Sequence, residues 1–338
     1  MNEQENVTPM PQPIPEISEY PDKAERKQIR RLYNKNALMF VIYYVTVFAL
    51  SFILVDLPEF SPPIEALINI GLTLSLEIIC IVVGLKVLKL HFGSFFKRDG
   101  FGISTGLKTW VCSQGVGYAA SFISVIIIMV LSVFVSDGFE LVNPVAQDST
   151  GATIIMMFYA SLGAPIIEEI LCRGVLLFGL AKYNRRMAIV VSAVMFGFFH
   201  GNMHQFIYTT ALGLIFAIVD LKYKSIIPSI IAHFGINTTS VILQLIMMFL
   251  GIDITATASV ETITIEYIIF TLIAVGLMLL FVTLAIVVGV THLKRAREYI
   301  PRPNKLGKTR GYPLLFSSPL VWVVIVLSIF QIAVVPLL

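Results

Sequence analysis

Glu168, Glu169 and Arg173 lie in one apolar run of this chain, His200 in the next, and His233 with Asn237 in a third. Ionisable groups are costly at membrane depth and usually mark a working site, so three helices contributing them point to a site built between helices. Glu169 and Arg173 are four apart, stacked on one helix face and able to pair, which reduces the cost of burying both charges. Glu168 points about 100° away and has no partner on its own helix. At that depth an unpaired carboxylate holds its proton or finds a partner on another helix. Pro165 removes a backbone hydrogen bond just before the pair and opens the helix there. Phe196 and His200 share a face at the same spacing, as do His233 and Asn237, and a neutral His with an Asn can present two donors to one point.

These are parts that peptide hydrolysis needs: an activated water, stabilisation of the tetrahedral oxyanion and protonation of the leaving amine. Glu168 is the expected general base and His200 holds the same water. His233 and Asn237 donate to the oxyanion. Counted from the cytoplasmic ends of their helices at 1.5 Å per residue, Glu168 lies about 21 Å in, Glu169 and His200 about 20 Å, Asn237 about 18 Å, Arg173 about 14 Å and His233 about 12 Å. All fall in one slab of a hydrocarbon core roughly 30 Å thick. Taken singly, each has a plainer reading. His204 reads as an interfacial residue, Glu77 as a packing contact or cavity lining, and Cys172 as packing.

Glu168, His200 and His233 also make the two-His, one-Glu set of some catalytic zinc sites. No H-E-x-x-H helix is present, and Asn237 beside His233 suits an oxyanion hole better, so no cofactor is expected and zinc is the alternative. Cys80, Cys112 and Cys172 have no paired spacing that would indicate a disulfide framework or a zinc motif.

The elements that must position these residues follow from composition. Hydrophobic residues make up 57% and charged residues 13%, where soluble domains carry roughly a quarter charged, and mean hydropathy is +0.86. The expected fold is an all-α polytopic membrane bundle. Nine spans are read at about 20 apolar residues each: 37–55, 64–85, 109–135, 153–181, 187–203, 205–221, 225–250, 265–290 and 318–336. The fifth and sixth share a stretch just long enough for two short helices with a tight turn near Gly201 and Asn202. Basic residues test this independently, because cytoplasmic loops collect them. Of 24 Lys and Arg, 23 alternate onto one face and the last, Arg173, is inside a span. The expected topology is N-terminus inside and C-terminus outside. The net charge of +3 follows from these loops and calls for no nucleic-acid partner, and the basic segment Lys294–Arg310 suits anionic lipid headgroups.

Four parts are expected: a disordered cytosolic tail over 1–36, Pro-rich and then charged; flanking helices over 37–106; a catalytic core over 107–250; and flanking helices with a basic loop over 251–338. Glu168-Glu169-x-x-x-Arg173, Phe196-x-x-x-His200 and His233-x-x-x-Asn237, in that order on successive helices, resemble the three motifs of the CAAX protease and bacteriocin-processing (CPBP, or Abi) family of intramembrane endopeptidases. The resemblance covers roughly 107–250. It implies the same assignment of the seven residues, cleavage of membrane-associated peptides or proteins, lipidated in the prenyl endopeptidases, and a role in bacteriocin processing or self-immunity in bacterial members. Two other classes use similar residues. A transporter would show inverted repeats and broken helices in matching halves, and none is found; a non-catalytic immunity or adaptor protein would tolerate loss of Glu168. Access to the site is expected from the cytosol and laterally from lipid.

Overall fold

In lipid, every backbone polar group has to be satisfied inside the protein, so apolar runs of this length become helices. The computed structural model describes residues 22–54, 60–98, 100–133, 149–182, 184–252, 264–296 and 311–333, all of its regular structure being helical. The helices are α1 (Lys23–Leu54), α2 (Pro62–Leu88), α3 (Ile103–Ser132), α4 (Thr150–Ala181), α5 (Arg185–Phe199), α6 (Met203–Tyr223), α7 (Ile227–Phe249), α8 (Ile265–Ala296), α9 (Gly311–Phe316) and α10 (Pro319–Ala333). A short 3-10 turn, Phe92–Phe96, links α2 to α3.

The protein is a polytopic helical membrane protein. Six described helices, α2, α3, α4, α6, α7 and α8, are long and apolar enough to cross a bilayer. The other three expected spans are also helical, but differently proportioned. Helices α5 and α10 have 15 residues each, or about 22 Å of rise, short of a 30 Å core. Helix α1 begins at Lys23, so the charged stretch before the first apolar run is its first half, anchored by buried Ile29, Tyr33 and Asn36. Residues 1–21 of the expected tail, and most of the basic segment Lys294–Arg310, lie outside the described residues.

Helices α4 and α5, which carry two of the three motifs, and α6 after them start on side-chain caps. Ser149 accepts from the Ala152 N–H before α4, Asn184 from Met187 before α5, and Asn202 from Gln205 before α6, each satisfying a donor that a helix start leaves open. The tight turn expected at 201–202 is present: Gly201 has φ +68, a left-handed conformation that glycine adopts without steric cost, and Asn202 then caps α6.

Helix α5 lies along α6, and α3 packs against α6, α7 and α8. Small residues permit the closest of these approaches. A Cβ on Gly213 of α6 would stand 2.9 Å from the Cα of Ala193 on α5. Helices α1 and α10 pair as well, with Leu320 N–H donating to Asn34 Oδ1 near one end and Phe48 against Phe330 near the other. They therefore run parallel.

Helix α4 is not uniform. Tyr159–Gly163 and Ile170–Leu177 are π-helical, with the α-helical turn Ala164–Glu169 between them. Such wide turns recur at functional sites because they free backbone groups and re-aim side chains.

Candidate active site

The adjacent glutamates of α4 part ways as their angular offset requires. Glu169 is fully buried, with Oε2 3.1 Å from Arg173 Nε and Oε1 3.0 Å from His233 Nδ1 on α7. Glu168 is half-buried and lines a cavity of about 680 Å³, where its Oε2 has no hydrogen-bond partner among the described residues. His200, His233 and Asn237 line the same cavity. All four residues expected to carry the chemistry are thus brought together around one space.

Phe196 holds several of them in place. The Arg173 guanidinium lies 4.0 Å from its ring centroid and 5.3 Å from that of Phe216 on α6, a cation–π arrangement whose worth rises when water is excluded. This matters because Arg173 is fully buried and its two Nη atoms have no hydrogen-bond partner among the described residues. The Phe196 ring also meets His200 and His233 edge-on, at 5.0 and 5.5 Å between centroids. Its backbone oxygen lies 2.8 Å from His200 Nδ1, a contact that the spacing of four makes geometrically available.

These contacts fix the tautomers. A carbonyl oxygen only accepts, so His200 carries its proton on Nδ1 and, when neutral, presents Nε2 as an acceptor. The carboxylate of Glu169 likewise takes the Nδ1 proton of His233. The expectation that a neutral His233 and Asn237 both donate to one point is therefore modified. Neutral His233 offers a lone pair to the cavity, and only a ring protonated on both nitrogens donates there.

Asn237 is also engaged, its Nδ2 donating to the Ala160 carbonyl at 2.8 Å. The backbone explains why that oxygen is free. The Ala164 N–H bonds five residues back to Tyr159 O, so the next donor in this register, at 165, would serve Ala160. Position 165 is proline and has no N–H. Asn237 supplies the missing donor and keeps its second amide hydrogen.

Two contributors were not assigned from the sequence. Asp220 of α6 is fully buried, accepts from Ser229 Oγ at 2.6 Å, and lies in the electrostatic field of Glu169 and Arg173. Its signal, an acidic residue in an apolar run, was masked by the nearby Lys222 and Lys224, which make that end look interfacial. The cavity wall also comes partly from the expected flanking helices, through Tyr43 of α1 and Thr73 and Glu77 of α2; of the two readings for Glu77, cavity lining is the one observed.

The zinc alternative was tested on the donor set. Among the described residues, no three of His, Cys, Asp and Glu are grouped so as to hold a metal ion. Glu168, His200 and His233 line one cavity, and zinc stays the alternative to a metal-free site.

Residues 150–239 match the family described as type II CAAX prenyl endopeptidase Rce1-like. A stretch of 99 residues is 35% identical to the protein named "Putative membrane peptidase YdiL" of Bacillus subtilis (strain 168), covering 29% of this chain. The chain spans 41% of that relative's length. No solved structure matches the chain. The matched family segment begins with α4 and ends within α7, and so contains Glu168, Glu169, Arg173, Phe196, His200, His233 and Asn237. Over that segment the chain is similar to the type II CAAX prenyl endopeptidase Rce1-like family and to a membrane peptidase.

Proposed function

We propose that this protein is an intramembrane endopeptidase that hydrolyses peptide bonds of membrane-associated substrates with a water activated by Glu168. The observation that carries this reading is the division between neighbours: Glu169 is bonded into the protein by Arg173 and His233, whereas the Glu168 carboxylate faces the cavity with His200 and an unpartnered oxygen. A water donating one hydrogen to Glu168 and the other to His200 Nε2 leaves its oxygen lone pairs for the carbonyl carbon. Glu168 takes the water's proton as the carbon–oxygen bond forms and delivers it to the amine nitrogen as the carbon–nitrogen bond breaks. The free amide hydrogen of Asn237 and an imidazolium His233 stabilise the oxyanion.

No cofactor enters this scheme, and zinc remains the alternative that the assay separates. Within the family, prenylated CAAX proteins and bacteriocin-related peptides are the substrate classes to try. An internally quenched farnesylated peptide ending in a CAAX box, and an unlipidated hydrophobic peptide, would be offered to purified protein in detergent, with and without a chelator. Glu168→Gln keeps shape and hydrogen bonding, so it should fold normally and lose at least about a hundredfold in cleavage. Wild-type rates from that variant defeat the assignment, and wild-type activity abolished by the chelator and restored by zinc favours the metal mechanism.

A further inference from the structure

Glu77 of α2 takes no part in the scheme above, yet it faces the same space. The residue is 1% exposed, its Oε2 has no hydrogen-bond partner among the described residues, and it lines the cavity with Glu168 and His200. Helix α2 packs against the Ala164–Glu169 turn that carries Glu168, and the two carboxyl groups lie within each other's electrostatic reach. Around Glu77 are Tyr43 from α1, Cys80 on α2 itself, and Tyr159, Glu168 and Cys172 from α4. Each of these ionises to an anion, so none neutralises it.

Two carboxylates confined in one poorly solvated space do not both ionise; they share a proton. We propose that Glu77 and Glu168 form such a pair, with Glu77 holding the proton as a positioning residue and Glu168 left ionised as the base. Burial decides the division. The charge stays on the half-buried group that faces the cavity, and the proton on the one that is almost wholly enclosed. The Glu77 O–H then donates to Glu168, directly or through a water, and orients its carboxylate so that the second oxygen receives the reacting water.

The proton count closes over a turnover. The pair starts with one proton, Glu168 takes a second from water as the hydroxyl adds to the carbonyl carbon, and that second proton leaves on the amine nitrogen. The other hydrogen of the water departs with the product's carboxyl group. Glu77 comes from α2, outside the segment matched to the family, and the inference rests on Glu168 being the base.

Glu77→Gln preserves shape and a neutral donor, whereas Glu77→Leu removes the donor. Infrared difference spectra of the purified protein at neutral pH should lose one protonated-carboxyl carbonyl band in Glu77→Gln, a readout that needs no substrate. With the farnesylated CAAX peptide, the wild-type pH–rate profile should be bell-shaped; Glu77→Gln should stay within about threefold of wild-type kcat at the optimum, keep the acid limb and lose the alkaline one. Glu77→Leu should lose about tenfold in kcat with KM little changed. An unchanged carboxyl band, a retained alkaline limb, or a Glu77→Leu protein as fast as wild type would overturn the pair. If the wild-type protein does not cleave, the peptidase reading fails on that result, while the infrared band still decides whether Glu77 holds a proton.

Discussion

Glu169 is the residue on which the buried charges depend, because it meets Arg173 and His233 through separate oxygens. Glu169→Gln leaves the Arg173 charge without its counter-ion in a fully buried position, and breaking a buried pair in this way typically costs about 3–5 kcal/mol. The expected outcome is poor expression or a much lower melting temperature in detergent. Adding Arg173→Met should recover part of that stability, because an apolar side chain of similar length can rest on the Phe196 and Phe216 rings. A Glu169→Gln protein as stable as wild type would show that Arg173 is neutralised elsewhere, and Asp220 is then the group to replace next. Pairings within one helix were legible in the sequence: a spacing of four predicts both the Glu169–Arg173 ion pair and the contact between His200 and the Phe196 carbonyl. Contacts between helices were not. His233 bonded to Glu169, Asn237 bonded to Ala160 and Asp220 beneath them depend on rotations and offsets between helices that spacing along one helix does not encode.

Helix α4 illustrates the same limit at the scale of an element. Pro165 announces an opening in the helix, but not that the chain widens into π turns on both sides of the glutamates, nor which group serves the freed carbonyl. The link between Pro165 and Asn237 can be tested by a double-mutant cycle read by thermal stability. Asn237→Ala leaves Ala160 O buried without a donor, at a cost of roughly 1–3 kcal/mol. In a Pro165→Ala background, residue 165 has its own N–H for that oxygen, so the cost of Asn237→Ala should fall, with a coupling of at least about 0.5 kcal/mol. Strictly additive losses would mean that the proline and the asparagine are unrelated.

Across the whole molecule, the position of the cavity along the helices bears on the access expected from the cytosol and from lipid. Its lining lies at the C-terminal end of α5 and the start of α6, where His200, His204 and Gln205 stand, and reaches Ser240 and Gln244 in the second half of α7. The basic residues Lys182, Arg185, Arg186, Lys222 and Lys224 sit at the opposite ends of these helices. With the basic loops taken as cytosolic by the positive-inside rule, this polar part of the lining predicts access from the opposite face. A cysteine at Gln244 or Ser240 should react with a membrane-impermeant thiol reagent from the face opposite the basic loops; labelling from the basic face alone would restore the earlier expectation. The parallel course of α1 and α10 puts the N-terminal ends of these two described helices on the same side of the bundle. It also has a consequence for biogenesis. Arg30 reaches Ser317 O across 287 residues of chain, so α1 acquires this partner only when the last described helices have been made. Until then Asn34 and Phe48 have lipid or insertion machinery for neighbours, which makes the closing of this seam a late assembly step and the point at which a shortened chain would first betray itself to quality control.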